Sequence, residues 1–295
     1  MIAQMTASRS VVRDYITLTK PRVISLLLVT ALGGMFLATK GVPQLSLVLV
    51  VLGGGLLASG GANALNHFMD RDLDELMTRT RNRPVVRGTV SPRSAMIFGI
   101  VLNIIAFVVL SAGANLLSAL LTLSATLFYV FIYTKALKRT TPQNIVIGGA
   151  AGAIPPMVGW AAVTGYLGLP ALYLFAIIFF WTPPHFWALA LMLKDDYARA
   201  KVPMLPVVVG VDETKKYIFI YTWLVLGLTL MFFTTGVLGW LYLGVSTALG
   251  IGFIYYAWRL LRRPEIKGAK PLYLYSLAYL AALFLLIMIE SSVAI

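Results

Sequence analysis

Nine stretches of this chain are long and apolar enough to cross a lipid bilayer, and they leave room for few other folds. They cover residues 23–39, 44–65, 94–112, 115–134, 144–164, 169–193, 217–236, 239–258 and 272–290. A spanning helix needs about 20 mostly apolar residues to cover the hydrocarbon layer. Inside that layer a backbone amide finds no water, so a helix, which pairs its own amides, is the economical solution. The expectation is an all-α, polytopic membrane protein: nine transmembrane helices in one bundle, a single domain over 1–295. Composition agrees. Hydrophobic residues make up 59% of the chain and charged ones 12%, whereas soluble domains carry about 25% charged residues.

Charge sets the orientation. The formal net charge is +13, which on a soluble chain would suggest nucleic acid. Here every Lys and Arg except Lys40 falls in segments 1–22, 66–93, 135–143, 194–216 and 259–271. With nine helices these segments share one side of the membrane. Cytoplasmic loops are the Lys/Arg-rich ones, so the N-terminus is expected inside and the C-terminus outside. The implied partner is the lipid bilayer, not nucleic acid. The first apolar run reads as a retained helix rather than a cleaved signal, and presequence features are weak. Together these favour a bacterial inner (cytoplasmic) membrane. The chain has no Cys, which removes disulfides, thiolate metal sites and a cysteine nucleophile.

Two inner segments, 66–93 and 194–216, are long, and long loops are usually functional. Each follows an even-numbered helix and opens with acidic residues. That is a faint internal repeat of helices 1–4 and 5–8, with the ninth appended. It places function at the cytoplasmic face.

The first of these segments begins NHFMDRDLDELMTRTRNRP, residues 66–84. Asn66, Asp70 and Asp74 are spaced four apart and share one helix face, with Asp72 pointing away. They stand where the second helix ends, at the negative pole of its dipole, and like charges four apart repel. Stability alone would not choose this pattern. One compensation is a divalent cation such as Mg²⁺, which takes one or two carboxylates and keeps room for water and phosphate oxygens. Another is the arginine set Arg79, Arg81 and Arg83, whose planar forks suit phosphate. The plainer alternative is a solvated helix end laced with pairs such as Glu75–Arg79. Carboxylates and arginines on one loop fit a metal–diphosphate better than either ion alone.

That pattern, followed by RTRNRP, resembles the UbiA superfamily of intramembrane prenyltransferases. Further stretches are similar to the branch that farnesylates heme: LTKPRV at 18–23, YTKALKRTTPQNIVIGGAAGAIPP at 133–156, WTPPHFWALAL at 181–191 and DYARAKVPMLPVV at 196–208. The resemblance implies a bundle around a central cavity, Mg²⁺ held by two aspartate-rich motifs, farnesyl diphosphate as donor, and heme B as acceptor, converted to heme O. Carried onto this chain, it implies Asn66, Asp70, Asp74 and Asp196 at the metal. It sets Arg79, Arg81, Arg83, Lys135, Lys138 and Arg139 near the diphosphate, and His67, His185, Lys20 and Arg22 near the heme. Asn66, Asp70, Asp74 and His185 are the residues closest to the chemistry. A heme A synthase or a terminal-oxidase assembly factor is the protein partner it implies.

The sequence departs from the superfamily pattern at two points. His67 stands where an Asp often follows the Asn, and Met192 lies four residues before Asp196 where a second Asp is usual. Asp195 is turned about 100° away on a helix. A strong first metal site and a weaker second one are therefore expected.

Two features remain open to more than one reading. His185 follows Pro183–Pro184, whose rings remove backbone donors and kink or break a helix. It is placed either to bond the freed carbonyls or to meet heme iron or a reacting carbon. Phe180, Trp181, Phe186 and Trp187 either line a dry cavity, where π faces would steady a cation, or simply pack. A transporter would place ionisable groups near the midplane, and the first eight runs have none away from their ends. Two neighbouring readings keep part of the site: a prenyltransferase for an aromatic quinone precursor, and a noncatalytic heme-handling assembly factor.

Overall fold

The computed structural model describes residues 2–293, with side chains from Val11 onward; Met1, Ala294 and Ile295, the ends of the expected domain, lie outside it. Among the described residues all regular structure is helical. Among the described residues nine helices are long and apolar enough to span a membrane: Pro21–Thr39, Leu45–Met69, Pro92–Gly113, Leu116–Thr140, Asn144–Thr164, Leu169–Met192, Val211–Phe233, Trp240–Arg262 and Ala269–Val293. They are called here the first to ninth spans. Successive spans lie side by side. The first also meets the fifth and ninth, and the sixth also meets the ninth, which closes the bundle.

Some spans run further than the apolar pattern suggests. The seventh begins at Val211 rather than at 217, after Gly210 turns the chain with φ 86°. Asp212 and Glu213 occupy its first turn, the end where negative charge suits the helix dipole. Lys215 is buried there and donates to Asp212 Oδ1 at 3.2 Å and to the Arg263 carbonyl at 3.0 Å, tying the seventh span to the end of the eighth. Hydropathy undercounts such turns because their charged groups are satisfied by one another.

A further helix, Ile2–Thr19, precedes the first span and packs on the second. The joint is Lys20, in the left-handed region at φ 54°, ψ 58°. Pro21 disfavours right-handed helix at the residue before it, and is itself suited to the first position of the next helix.

Lipid tails give apolar helices no reason to prefer one another, so spans associate through close packing of small residues. At Gly34 an added Cβ would sit 2.2 Å from the Pro156 carbonyl oxygen, and at Gly159 it would sit 1.9 Å from that of Ala31. The first and fifth spans therefore touch backbone to backbone. Across the bundle, the sixth to ninth spans interlock through Trp181, Phe232, Tyr242, Phe253, Tyr279 and Phe284.

Two proline pairs behave differently. Pro155–Pro156 divides the fifth span into Asn144–Ala153 and Pro155–Thr164. The expected break at Pro183–Pro184 does not occur: the sixth span runs through both prolines unbroken. Bonds to the ninth span hold this turn from outside, from Trp181 Nε1 to the Ser276 carbonyl at 2.9 Å and between His185 Nδ1 and Ser276 Oγ at 2.7 Å. In the fourth span, Phe128–Leu137 winds as a π-helix. Such stretches are rare and favour functional sites.

Adding one methyl where two backbones touch forces the spans apart, and overpacking typically costs about 1–3 kcal/mol. Gly159→Ala is expected to lower the thermal unfolding midpoint in detergent clearly. Gly244→Ala, whose Cβ would meet nothing within 4 Å, is expected to leave it within error. Equal midpoints for the two variants would contradict the close crossing.

Candidate functional site

The site is built where the second span stops. Asp70 has φ −92° and ψ 6°, a sparsely populated bridge conformation that bends the chain into a short helix, Arg71–Leu76. The amide bonds continue across the bend, from Asp70 to the Asn66 carbonyl at 2.9 Å and from Asp74 to the Asp70 carbonyl at 2.8 Å. The spacing of four therefore survives, and the three side chains sink together into protein: Asn66, Asp70 and Asp74 are 4%, 0% and 2% exposed.

Each is held by a cation from a different part of the chain. Lys138 Nζ lies 2.5 Å from Asp70 Oδ2. Arg83 Nη1 contacts both oxygens of Asp74, at 2.8 and 2.6 Å. Lys20 Nζ donates to Asn66 Oδ1 at 2.9 Å, while Asn66 Nδ2 donates to Asp70 Oδ2 at 2.6 Å and to Thr134 Oγ1 at 3.3 Å. Asp70 Oδ1 is buried with no hydrogen bond among the described residues. Burial pulls the pKa of Lys20 well below the usual lysine range; neighbouring Arg83 and Lys138 push the same way, and Asp74 and Asp70 partly oppose them. Thr134 and Lys138 reach the cluster from the C-terminal end of the fourth span, where the π-helix ends.

Local bonds bring the arginine loop over the acids. Thr80 Oγ1 donates to the Asp74 carbonyl at 3.0 Å, and Val85 and Val90 bury against Leu18, Ala64 and Ala95. The second acidic motif braces this loop. Asp196 Oδ2 accepts from the Arg79 amide at 3.4 Å, its Oδ1 meets Arg199, and Arg199 also donates to Thr78 Oγ1 at 2.7 Å. Burial alone would raise the Asp196 pKa, but donors from Arg79, Thr78 and Arg199 outweigh it and hold the carboxyl below its ordinary value. Among the described residues no three His, Asp or Glu side chains gather as a metal cluster. Asp196, expected at the metal, braces the loop that carries Arg83.

The remaining expected residues divide. Arg139 is spent mainly on exposed Asp72, at 2.6 and 2.8 Å, with Asp70 Oδ1 at 3.8 Å; that bond holds the Asp72 carboxyl below its usual pKa. Arg79 contributes its amide. Arg22, Arg81 and Lys135 are exposed, and their side chains make no hydrogen bond among the described residues. The Glu75–Arg79 pair does not form. Lys20, expected near heme, belongs to the carboxylate cluster. His67 is buried with neither ring nitrogen bonded. His185 does not bond a carbonyl freed by the prolines. Its ring lies between Trp181 (centroids 4.3 Å apart, planes 16°) and Tyr273 (4.8 Å, 23°). Trp187 packs against Tyr217 and Tyr221. Sequence reasoning missed Thr134 and Ser276; Thr134 lies four residues before Lys138, a cue visible only once Lys138 is chosen.

Removing one partner of a buried ion pair leaves the other charge uncompensated, which costs about 3–5 kcal/mol. Arg83→Ala is expected to destabilise the ligand-free protein by that order in denaturant unfolding, and Arg83→Ala/Asp74→Ala to recover much of the loss. Additive losses in the double variant would show that the pair is not coupled.

Comparison with known proteins agrees with this geometry. The sequence model of the UbiA prenyltransferase family matches residues 27–288. A protoheme IX farnesyltransferase of Gloeobacter violaceus is 52% identical over 292 residues, covering 97% of this chain and 96% of that protein. Protoheme IX farnesyltransferase 1 of Saccharopolyspora erythraea is 49% identical, covering 99% of this chain and 94% of that one. Among solved structures, digeranylgeranylglyceryl phosphate synthase superposes with TM-score 0.79 at 18% identity, covering 96% of this chain and 99% of that one. A UbiA homologue from Archaeoglobus fulgidus bound to GPP and Mg²⁺ gives TM-score 0.69 at 18% identity, covering 93% and 99%. The fold, the helix-end acids and these likenesses agree: the chain belongs to the UbiA prenyltransferase family.

Proposed function

We propose that this protein transfers a farnesyl group from farnesyl diphosphate to a vinyl group of heme B, with addition of water, giving heme O and diphosphate. The observation that carries the reading is the pair of buried carboxylates, Asp70 and Asp74, each within 2.8 Å of a cation. Support for the substrates comes from relatives about half identical over nearly the whole chain and called protoheme IX farnesyltransferase.

Asn66, Asp70 and Asp74 fit Mg²⁺: their oxygens are buried together, and Asp70 Oδ1 has no hydrogen-bond partner among the described residues. Once bound, the ion would supply Lewis-acid neutralisation of a departing diphosphate. Arg83, Lys138 and Lys20 neutralise the acids in the ligand-free protein and are placed to turn toward an incoming diphosphate. Such preorganised donors steady charge as it develops on the leaving group. Bond balance follows directly. The allylic C–O bond breaks, diphosphate keeps the electron pair, and the farnesyl carbocation adds to the vinyl carbon. Water then captures the new cation and loses a proton. No protein nucleophile is required, and the aromatic lining near His185 excludes water until the C–C bond forms. His185 orients the heme, through its iron.

The second and sixth spans both end on the side that gathers the Lys and Arg. We take that side as cytoplasmic, with the N-terminus inside a bacterial inner membrane. A heme A synthase or terminal-oxidase assembly factor is the consumer consistent with the product.

Purified protein given heme B, farnesyl diphosphate and Mg²⁺ is expected to yield a product heavier by farnesyl plus water, and none with chelator present. Asp70→Asn and Asp74→Asn are each expected to lower turnover about 10²-fold or more and to lose part of the stability of their ion pairs, so turnover is compared at a temperature where circular dichroism shows each variant folded. Retained turnover in both would end the donor-site reading. Prenylation of an aromatic quinone precursor, with heme left unchanged, would move the acceptor to the neighbouring class.

A further inference from the structure

The sixth and ninth spans meet at one residue that the transferase reading leaves unused. Ser276 is fully buried. It takes two bonds from the sixth span: the Trp181 indole donates to its carbonyl at 2.9 Å, and His185 Nδ1 stands 2.7 Å from its hydroxyl. The same hydroxyl lies 2.7 Å from the Tyr273 carbonyl oxygen, to which it donates.

A hydroxyl has one proton to give. The Tyr273 carbonyl carries none, so the short contact requires that proton. Were the hydroxyl to point at His185 instead, two oxygen lone pairs would face each other at 2.7 Å. The contact with His185 must therefore be made by the imidazole's own proton, on Nδ1. The neutral ring then leaves Nε2 bare, with its lone pair in the ring plane. Trp181 and Tyr273 stack on the ring, and Phe186 stands perpendicular to it with centroids 5.4 Å apart at 88°; Nε2 makes no hydrogen bond among the described residues. The Nε2 edge is the side left for a ligand.

We propose that Ser276 is the positioning residue for His185: it fixes the Nδ1–H tautomer so that Nε2 is presented as an axial ligand to the iron of the heme acceptor. This rests on heme being the acceptor, as proposed above. A ligating histidine usually donates its other ring N–H to an oxygen acceptor, which sets its tautomer and orientation, and Ser276 Oγ fills that place. The site lies about 10 Å inward of the end of the sixth span at Met192, counting 1.5 Å per residue.

The chain contains two histidines, so nitrogen NMR of protein carrying ¹⁵N-histidine shows two imidazoles, and a His67→Gln sample assigns them. In the ligand-free protein, His185 is expected to carry its proton on Nδ1, and Ser276→Ala to lose that preference. Heme B titration without farnesyl diphosphate, followed by the Soret band and by electron paramagnetic resonance, supplies the second readout. Ser276→Ala is expected to weaken heme binding about tenfold, as loss of an outer partner to a ligating histidine does, and His185→Ala to abolish the histidine-ligated signature. A proton on Nε2 in the wild-type protein overturns the proposal, as does a Ser276→Ala protein with wild-type heme spectra and affinity. Neither readout needs turnover. A protein that shows both effects yet makes no farnesylated product would support Ser276 and overturn the transferase reading.

Discussion

Two carboxylates buried at the negative end of a membrane helix form an arrangement that the rest of this end of the bundle exists to tolerate. Each is matched by one cation, Asp70 by Lys138 and Asp74 by Arg83. Leaving either acid unmatched inside protein would be strongly destabilising. Those cations come from the fourth span and from the loop after the second, so balancing the acids also fixes where these segments run. The N-terminal helix joins through Lys20 on Asn66, and the second acidic motif through Asp196 on the loop. With Lys20 counted, the ligand-free cluster carries one positive charge more than its two acids, and in the reading proposed above a divalent metal and a prenyl diphosphate trianion would together cancel it. Neither ion alone offers that balance.

Much of the fold was legible because lipid imposes a simple rule on sequence. Nine apolar runs became nine spans, and the errors lay where charged residues such as Asp212, Glu213 and Lys215 continue a helix beyond the apolar core. The acid spacing was legible for a similar reason: Asn66, Asp70 and Asp74 keep local register across a bend that the sequence does not announce.

What stayed hidden depends on contacts distant in sequence. The sequence offers Asp196 as a metal ligand, and only the fold shows that it also meets the Arg79 amide, 117 positions away. Lys20, which the sequence sets near heme, is turned onto Asn66 by the left-handed joint before Pro21. The unbroken sixth span also defies its Pro-Pro pair, because the restraint comes from Ser276 on another helix.

The π-helical stretch in the fourth span has a consequence for how this region can change. A π-helix closes its bonds five residues apart rather than four and so turns through less than the ~100° per residue of an α-helix; rewinding Phe128–Leu137 as α-helix, or changing its length without rewinding, would swing Lys138 off Asp70 while leaving hydropathy nearly unaltered. Drift in composition is tolerable there; drift in length is not. The fourth span is a ruler, and its graduation is set by the residue whose ammonium group must meet a carboxylate on another helix.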